Sequence, residues 1–140
     1  MIVVDTNVVL SGLVSSRGYS SVLLQKMIRG DVEFLVHLKM ISEYHAILTR
    51  RENLMRLPFS LSEIQDVLAM LAKKGFYQEV YYLWRPNLRD ESDNFLLELA
   101  VAGKAESIVT FNKDDFESRE LKLDIHIETP KSFLKRKGLV

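Results

Sequence analysis

Short β-branched runs alternate along this chain with longer stretches of helical period, and that alternation constrains the fold more than any other feature. Ile2-Val3-Val4 opens the chain as a strand buried on both faces. Val8, Val9, Leu10 and Leu13 then fall at helical spacing. Ser15 to Gly18 interrupts, and Val22, Leu23, Leu24, Met27 and Ile28 form a second helical face that Gly30 stops. Val32 to Val36 predicts a second strand, and Met40, Ile41, Tyr44, Ile47 and Leu48 predict a helix after it. Ser60-Leu-Ser-Glu63 is a capping box for a helix running through Ile64, Val67, Leu68 and Leu71 to Gly75. Val80 to Leu83 predicts a third strand, ended by Pro86. Asp90 to Ala102 predicts a helix apolar almost all round, hence buried, with Gly103 as its stop. Ser107 to Thr110 and Ile125 to Ile127 predict the last two strands. Thr129-Pro130 opens a final basic helix as an N-cap and first-turn proline. Strands alternating with helices predict a three-layer α/β/α architecture around a central parallel sheet of four to five strands, in a single domain over residues 1–140.

Composition narrows the chemistry. The 140 residues carry 19 Lys+Arg against 19 Asp+Glu and no cysteine. The absence of cysteine excludes disulfides, thiolate nucleophiles, zinc ribbons and iron–sulfur clusters. Zero net charge argues against a generic nucleic-acid coat and is compatible with a local basic groove beside an acidic site. No apolar run approaches the length of a membrane span, and Met1-Ile-Val-Val-Asp5 reaches a charge at once, without a visible secretory leader. A cytoplasmic location without membrane attachment is the expectation.

Ligands of open α/β sheets bind beyond the carboxyl ends of the strands, so polar residues just after strands are the candidates. Asp5 leaves the first strand; Thr110 ends the fourth, with Asn112, Asp114 and Asp115 behind it. Asp90 and Asp93 share one helix face in a first turn, and Glu43 lies early in the helix after the second strand. Each has a plain structural reading. Asp5, Asp90 and Asp114 suit helix N-caps, first-turn aspartates suit the helix dipole, and Glu43 could pair with Lys39 or Arg50. The combination is harder to explain that way. Two carboxylates ~5 Å apart repel by on the order of 3 kcal/mol at an effective dielectric of about 20. Such a cluster calls for a cation, shared protons or basic neighbours, and hard oxygen donors without cysteine favour Mg²⁺ or Mn²⁺.

Other constellations fail. His37, His45 and His126 form no His-Glu-x-x-His pattern, and the chain has neither a glycine-rich dinucleotide loop, nor a P-loop, nor a Gly-x-Ser-x-Gly elbow. A haloacid-dehalogenase-type phosphatase needs a second aspartate where Asn7 stands. A phosphorylatable receiver domain needs an aspartate near position 50, which is Arg.

Val3-Val4-Asp5-Thr6-Asn7, Ile41-Ser42-Glu43, Asp90-x-x-Asp93-Asn-Phe-Leu-Leu-Glu-Leu-Ala100, Ile108-Val-Thr110-x-Asn112-x-x-Asp115-Phe116 and Ile127-x-Thr129-Pro130-x-x-Phe133-Leu134 together resemble the PIN domain, a small Mg²⁺/Mn²⁺-dependent ribonuclease fold. The order and spacing cover nearly the whole chain and resemble most closely the bacterial and archaeal toxins of type II toxin–antitoxin pairs. The resemblance implies that Asp5, Glu43 and Asp93 form the metal centre, with Asp115 as the fourth acid. Asn7 and Thr110 match polar residues that orient the first acid and the metal loop. Two positions depart from the common pattern: Asn112 stands where many members have aspartate, and Phe111 where a small residue is usual. The fourth acid is therefore open between Asp115 and Asp114, as is a second metal ion.

The implied reaction is metal-assisted hydrolysis of RNA phosphodiesters, leaving a 5′-phosphate and a 3′-hydroxyl. In it Asp5 and Asp93 hold the cation, Glu43 binds it or orients the attacking water, and Asp115 completes the shell. Asp90 is a supporting candidate on the same helix face as Asp93. Arg50, Arg51, Arg85, Arg89, Lys104 and Lys113 are candidates for phosphate contacts and equally for ordinary surface. The resemblance further implies a small antitoxin partner and a homodimer. The alternative is a PIN-like fold of weak activity kept as an RNA-binding or protein-interaction module.

Overall fold

A computed structural model describes residues 1–80, 91–116 and 124–140, and for residues 91–93 the backbone alone. The order of elements is β1 (Ile2–Val4), α1 (Thr6–Val14), α2 (Tyr19–Arg29), β2 (Leu35–Val36), α3 (Leu38–Leu48), α4 (Arg51–Leu54), α5 (Leu61–Lys74), β3 (Phe76–Tyr77), α6 (Glu91–Ala102), β4 (Ser107–Val109), β5 (His126–Glu128) and α7 (Pro130–Arg136). A 3₁₀ turn, Lys113–Asp115, follows β4.

All the described strand pairs are parallel. β1, β4 and β5 form a three-stranded sheet in the order β1-β4-β5, and β2 pairs with β3. A parallel bridge between Ile2 and Phe34 joins the two sets, giving the order β3-β2-β1-β4-β5. The sheet hydrogen-bonded throughout is thus three strands, smaller than the four to five expected, with the two-stranded pair attached at one bridge. Ile2, Val3 and Val4 are all buried, as are Ser107, Ile108 and Val109. Successive strand residues point to opposite faces, so both faces of this sheet are covered, and the architecture is the predicted α/β/α sandwich.

Local chemistry sets the element ends. Gly30 closes α2 with φ 87°, a left-handed conformation that costs glycine nothing. Ser60 and Glu63 form the reciprocal capping box of α5, and Thr129 caps α7 ahead of Pro130. α1 and α2 approach closely at Gly12, where a Cβ would sit 2.5 Å from Leu24 Cδ1 and 2.9 Å from the carbonyl of Ser20. The core runs from β1 and β4 through Leu23, Met27, Leu48, Ile64, Leu71, Leu99 and Phe133.

The third strand lies at Phe76–Tyr77; Val80 is outside any strand, and residues 81–83 of the predicted strand lie outside the described residues. The single helical turn α4 was not expected; it is fastened by Asn53 Nδ2 donating to the Ile47 carbonyl at 2.7 Å. Among the described residues no helix is long and apolar enough to cross a membrane.

Candidate active site

The chain leaves β1, builds β2 and β3 on one side, then returns to build β4 and β5 on the other. The order reverses between β1 and β4, and the crevice beyond such a switch point is where open parallel sheets bind ligands. Asp5 and Thr110 are the residues that leave those two strands.

Asp5 is the N-cap residue of α1, yet its side chain makes no capping hydrogen bond to that helix. Its carboxylate is held from across the switch point instead: the Thr110 hydroxyl donates to Asp5 Oδ2 at 2.8 Å. The same hydroxyl accepts from the Asn112 amide at 3.0 Å, so its one proton is directed to Asp5. The Phe111 amide donates to Asn7 Oδ1 at 3.5 Å, tying the loop after β4 to the first turn of α1. The Asp5 amide donates to the Val109 carbonyl at 2.9 Å, which fixes the height of Asp5 on the rim.

Glu43 reaches the same rim through its neighbour in α3. Tyr44 is buried, and its hydroxyl donates to the carbonyl of Val4, the residue before Asp5. Burial, and then the Asp5 charge, push the Tyr44 phenol well above its ordinary value near 10, as expected of a phenol close to a carboxylate. Half-buried Glu43 lines a small cavity of ≈ 40 Å³ with Thr6, Lys39, Met40, Phe95 and Leu96. That cavity brings together the start of α1, the first turns of α3 and the early part of α6. Asp93 stands in the first turn of α6, one turn before Leu96; its side chain lies outside the described residues, and Asp90 lies outside them altogether.

Asp114 and Asp115 are exposed on the 3₁₀ turn, which is anchored by buried Phe116 and by the Asp115 amide donating to the Asn112 carbonyl at 3.1 Å. Asp114 is within that turn, whose cap is Asn112, so the N-cap reading does not apply to it. Among the described residues no three Asp, Glu or His side chains come close enough together to hold a metal ion. Asp5 and Glu43 supply carboxylate oxygens of the kind that Mg²⁺ or Mn²⁺ takes, and the chain has no thiolate to attract a softer metal.

The proposed phosphate-binding cations separate. Lys104 follows the C-terminal end of α6 and leads into the start of β4, at the opposite edge of the sheet from Asp5. Arg50 and Arg51 lie beyond the far end of α3, about 16 Å of helix from its start. Lys113 stays on the 3₁₀ turn, and Arg85 and Arg89 lie outside the described residues. A cation of the rim that the residue pattern offered only as a partner for Glu43, not for phosphate, is Lys39, whose ammonium sits 4.7 Å over the Phe95 ring. His37, also unanticipated, caps α3 by accepting from the Lys39 amide at Nδ1, 3.0 Å away. The only signal for either was their position directly after β2.

Fold and rim together define a parallel α/β protein with acidic side chains at its switch point. Within that class, a family model for the PIN domain matches residues 1–114, so the chain belongs to the PIN domain family. PIN domains are generally nucleases and typically use divalent metal ions. Asp5, Glu43, Asp93 and Asp114 lie inside the matched segment, and Asp115 lies one residue beyond it. Comparison with curated proteins and with solved structures gives no match.

Proposed function

We propose that this protein is a Mg²⁺- or Mn²⁺-dependent endoribonuclease that acts in the cytoplasm as the toxin of a toxin–antitoxin pair. The observation that carries the catalytic part is the Asp5 carboxylate. It stands at the cap position of α1, makes no capping bond, and is aimed by the Thr110 hydroxyl at the switch point. A carboxylate fixed in this way is disposed to bind a ligand rather than to stabilise its helix.

Asp5, Glu43 and Asp93 would hold the cation, with Asp115 or Asp114 as the fourth acid. When bound, the cation supplies a water of lowered pKa and neutralises charge developing on the phosphate oxygens. Thr110 orients Asp5 by donating to it. Glu43, lining the cavity beside Thr6, would bind the cation or fix the direction of the attacking water. Asn7 holds the loop carrying Phe111 and Asn112 against α1, which keeps Thr110 in register with Asp5.

The toxin reading calls for a partner that silences the site, and a small antitoxin peptide crossing the acidic crevice fits that need. Expression of this chain alone should arrest growth, and co-expression of the antitoxin should relieve it. A homodimer is part of the same reading, checked by sedimentation.

The test of the chemistry is cleavage of a labelled RNA with Mn²⁺, with Mn²⁺ plus chelator, and by Asp93→Asn. Cleavage that needs the metal and is lost in Asp93→Asn supports the proposal. Cleavage that persists in chelator or in the variant contradicts it. RNA that is bound but never cut would instead assign a PIN-like binding module.

A further inference from the structure

Positive charge gathers in this chain at a place that the switch point does not use. Arg50, Arg51 and Arg56 stand around α4, and all three are exposed. Among the described residues none of them joins an ion pair, whereas Arg136 and Lys137 pair with Glu106 and Glu128. Lys39 and Lys131 lie over the rings of Phe95 and Tyr19. Glu52 is the single acid between residues 50 and 60, so the cluster keeps a surplus of positive charge in a chain whose net charge is zero.

The backbone that carries these arginines is held in place. Buried Asn53 donates from Nδ2 to the Ile47 carbonyl at 2.7 Å, and the amides of Leu54, Met55, Arg56 and Leu57 all bond back within the turn at 2.9 to 3.1 Å. Leu57 is buried beneath it, while Met55, between the arginines, is 80% exposed and covered by nothing in the described chain. The dipole of α3 accounts for Arg50 and Arg51 at most, because its field fades within the last turn and Arg56 lies beyond it. The last carbonyls of α3 are moreover taken, His45 by the Thr49 hydroxyl and Ile47 by Asn53. Met55 is the one large apolar side chain exposed between residues 50 and 60, too little for the apolar centre of a protein interface. Three guanidiniums on a fixed turn, each a planar fork of donors, match the oxygens of a phosphate backbone.

We infer that the α4 turn is a phosphate-binding exosite for RNA, with Arg50, Arg51 and Arg56 holding the backbone of the substrate away from the bond that is cut. This rests on the ribonuclease reading and adds to it a second contact, separated from the rim by the length of α3, about 16 Å. An RNA that runs from the rim to α4 uses both contacts, and a fragment confined to the rim uses one.

The test uses the full chain and fluorescent RNA probes of about 4 and about 40 nucleotides. Binding of the long probe is measured by anisotropy in chelator across a range of salt, and cleavage of both is measured in Mn²⁺. The triple variant Arg50→Gln, Arg51→Gln, Arg56→Gln should bind the long probe about tenfold more weakly, and the slope of log affinity against log salt should fall by about 2. Its KM for the long probe should rise with kcat unchanged, and its cleavage of the short probe should equal that of wild type. Arg50→Lys, Arg51→Lys, Arg56→Lys keeps the charge and should keep the slope. Lys73→Gln, Lys74→Gln, Lys135→Gln removes the same charge elsewhere and should leave the slope nearly unchanged. Thermal unfolding checks that each variant is folded. Wild-type affinity and slope in the folded glutamine variant of the arginines overturn the inference, as does an equal loss in the lysine-to-glutamine variant. If wild type cuts neither probe, the ribonuclease reading fails, while the binding arm still decides whether α4 holds phosphate.

Discussion

The Thr110 hydroxyl donates to Asp5 Oδ2 at 2.8 Å across 105 positions of sequence. The bond spans the switch point of the sheet and couples the loop after β4 to the acid after β1. Thr110→Val keeps the shape of this buried side chain and removes the donor. Cleavage and metal affinity should fall about 10- to 100-fold, as when a partner orienting a metal-binding carboxylate is lost. Thr110→Ser should retain most of both. Metal titration and RNA cleavage by the two variants check this, and wild-type behaviour in Thr110→Val would remove Thr110 from the site.

Tyr44 joins α3 to β1 through the Val4 carbonyl. Tyr44→Phe leaves that carbonyl without its donor and should cost about 1–2 kcal/mol at neutral pH, read by urea denaturation. The phenol's folded-state pKa is raised, chiefly by burial and then by Asp5, above an unfolded value near 10. The unfolded chain therefore releases this proton first as pH rises. Tyr44's contribution is complete below pH 10 and declines above it, by up to about 1.4 kcal/mol per pH unit. Tyr44→Phe should show a shallower alkaline loss than wild type, so the stability gap narrows above pH 10.

Glu128 fastens the final helix. Its carboxylate is buried, accepts from the Ser107 hydroxyl at 2.5 Å and pairs with Arg136 at 2.8 Å. Burial pushes its pKa up, but the hydrogen bonds from Arg136 and Ser107, with the charges of Arg136 and His126, outweigh it and leave the value lowered. A depressed carboxylate adds stability that is complete above its ordinary value of 4.5 and is lost as pH falls through the lower folded value. Glu128→Gln should cost about 1–2 kcal/mol at pH 7, with partial exposure of Arg136 keeping the figure modest. The difference from wild type should shrink below about pH 4 in denaturation curves. A gap independent of pH would mean that the charge plays no part.

The alternating architecture was legible because its signals are local. Ile2-Val3-Val4 and Ile108-Val109 are apolar β-branched runs, and Ser60, Gly30 and Thr129 mark helix ends by their own chemistry. The strand at Phe76–Tyr77 went unread because both residues are exposed and the strand is only two residues long. At the rim, residue type and position after a strand were enough to nominate Asp5, Glu43 and Thr110, while Asn7 came from the resemblance to the PIN domain. That Asp5 makes no capping bond and is held instead by a residue 105 positions away is something no local pattern encodes. The same holds for Lys39 and His37. Their partners are Phe95 of α6 and Tyr77 of β3, which only the assembled fold brings to one edge.

The central claim is that the Asp5 carboxylate binds a divalent cation. Calorimetric titration of Mn²⁺ into wild type and Asp5→Asn, with thermal unfolding of both, measures it without reference to any substrate. The account predicts saturable binding in wild type, its loss in Asp5→Asn, and a variant at least as stable as wild type in the absence of metal. Mn²⁺ binding of equal affinity and stoichiometry in the two proteins would contradict it.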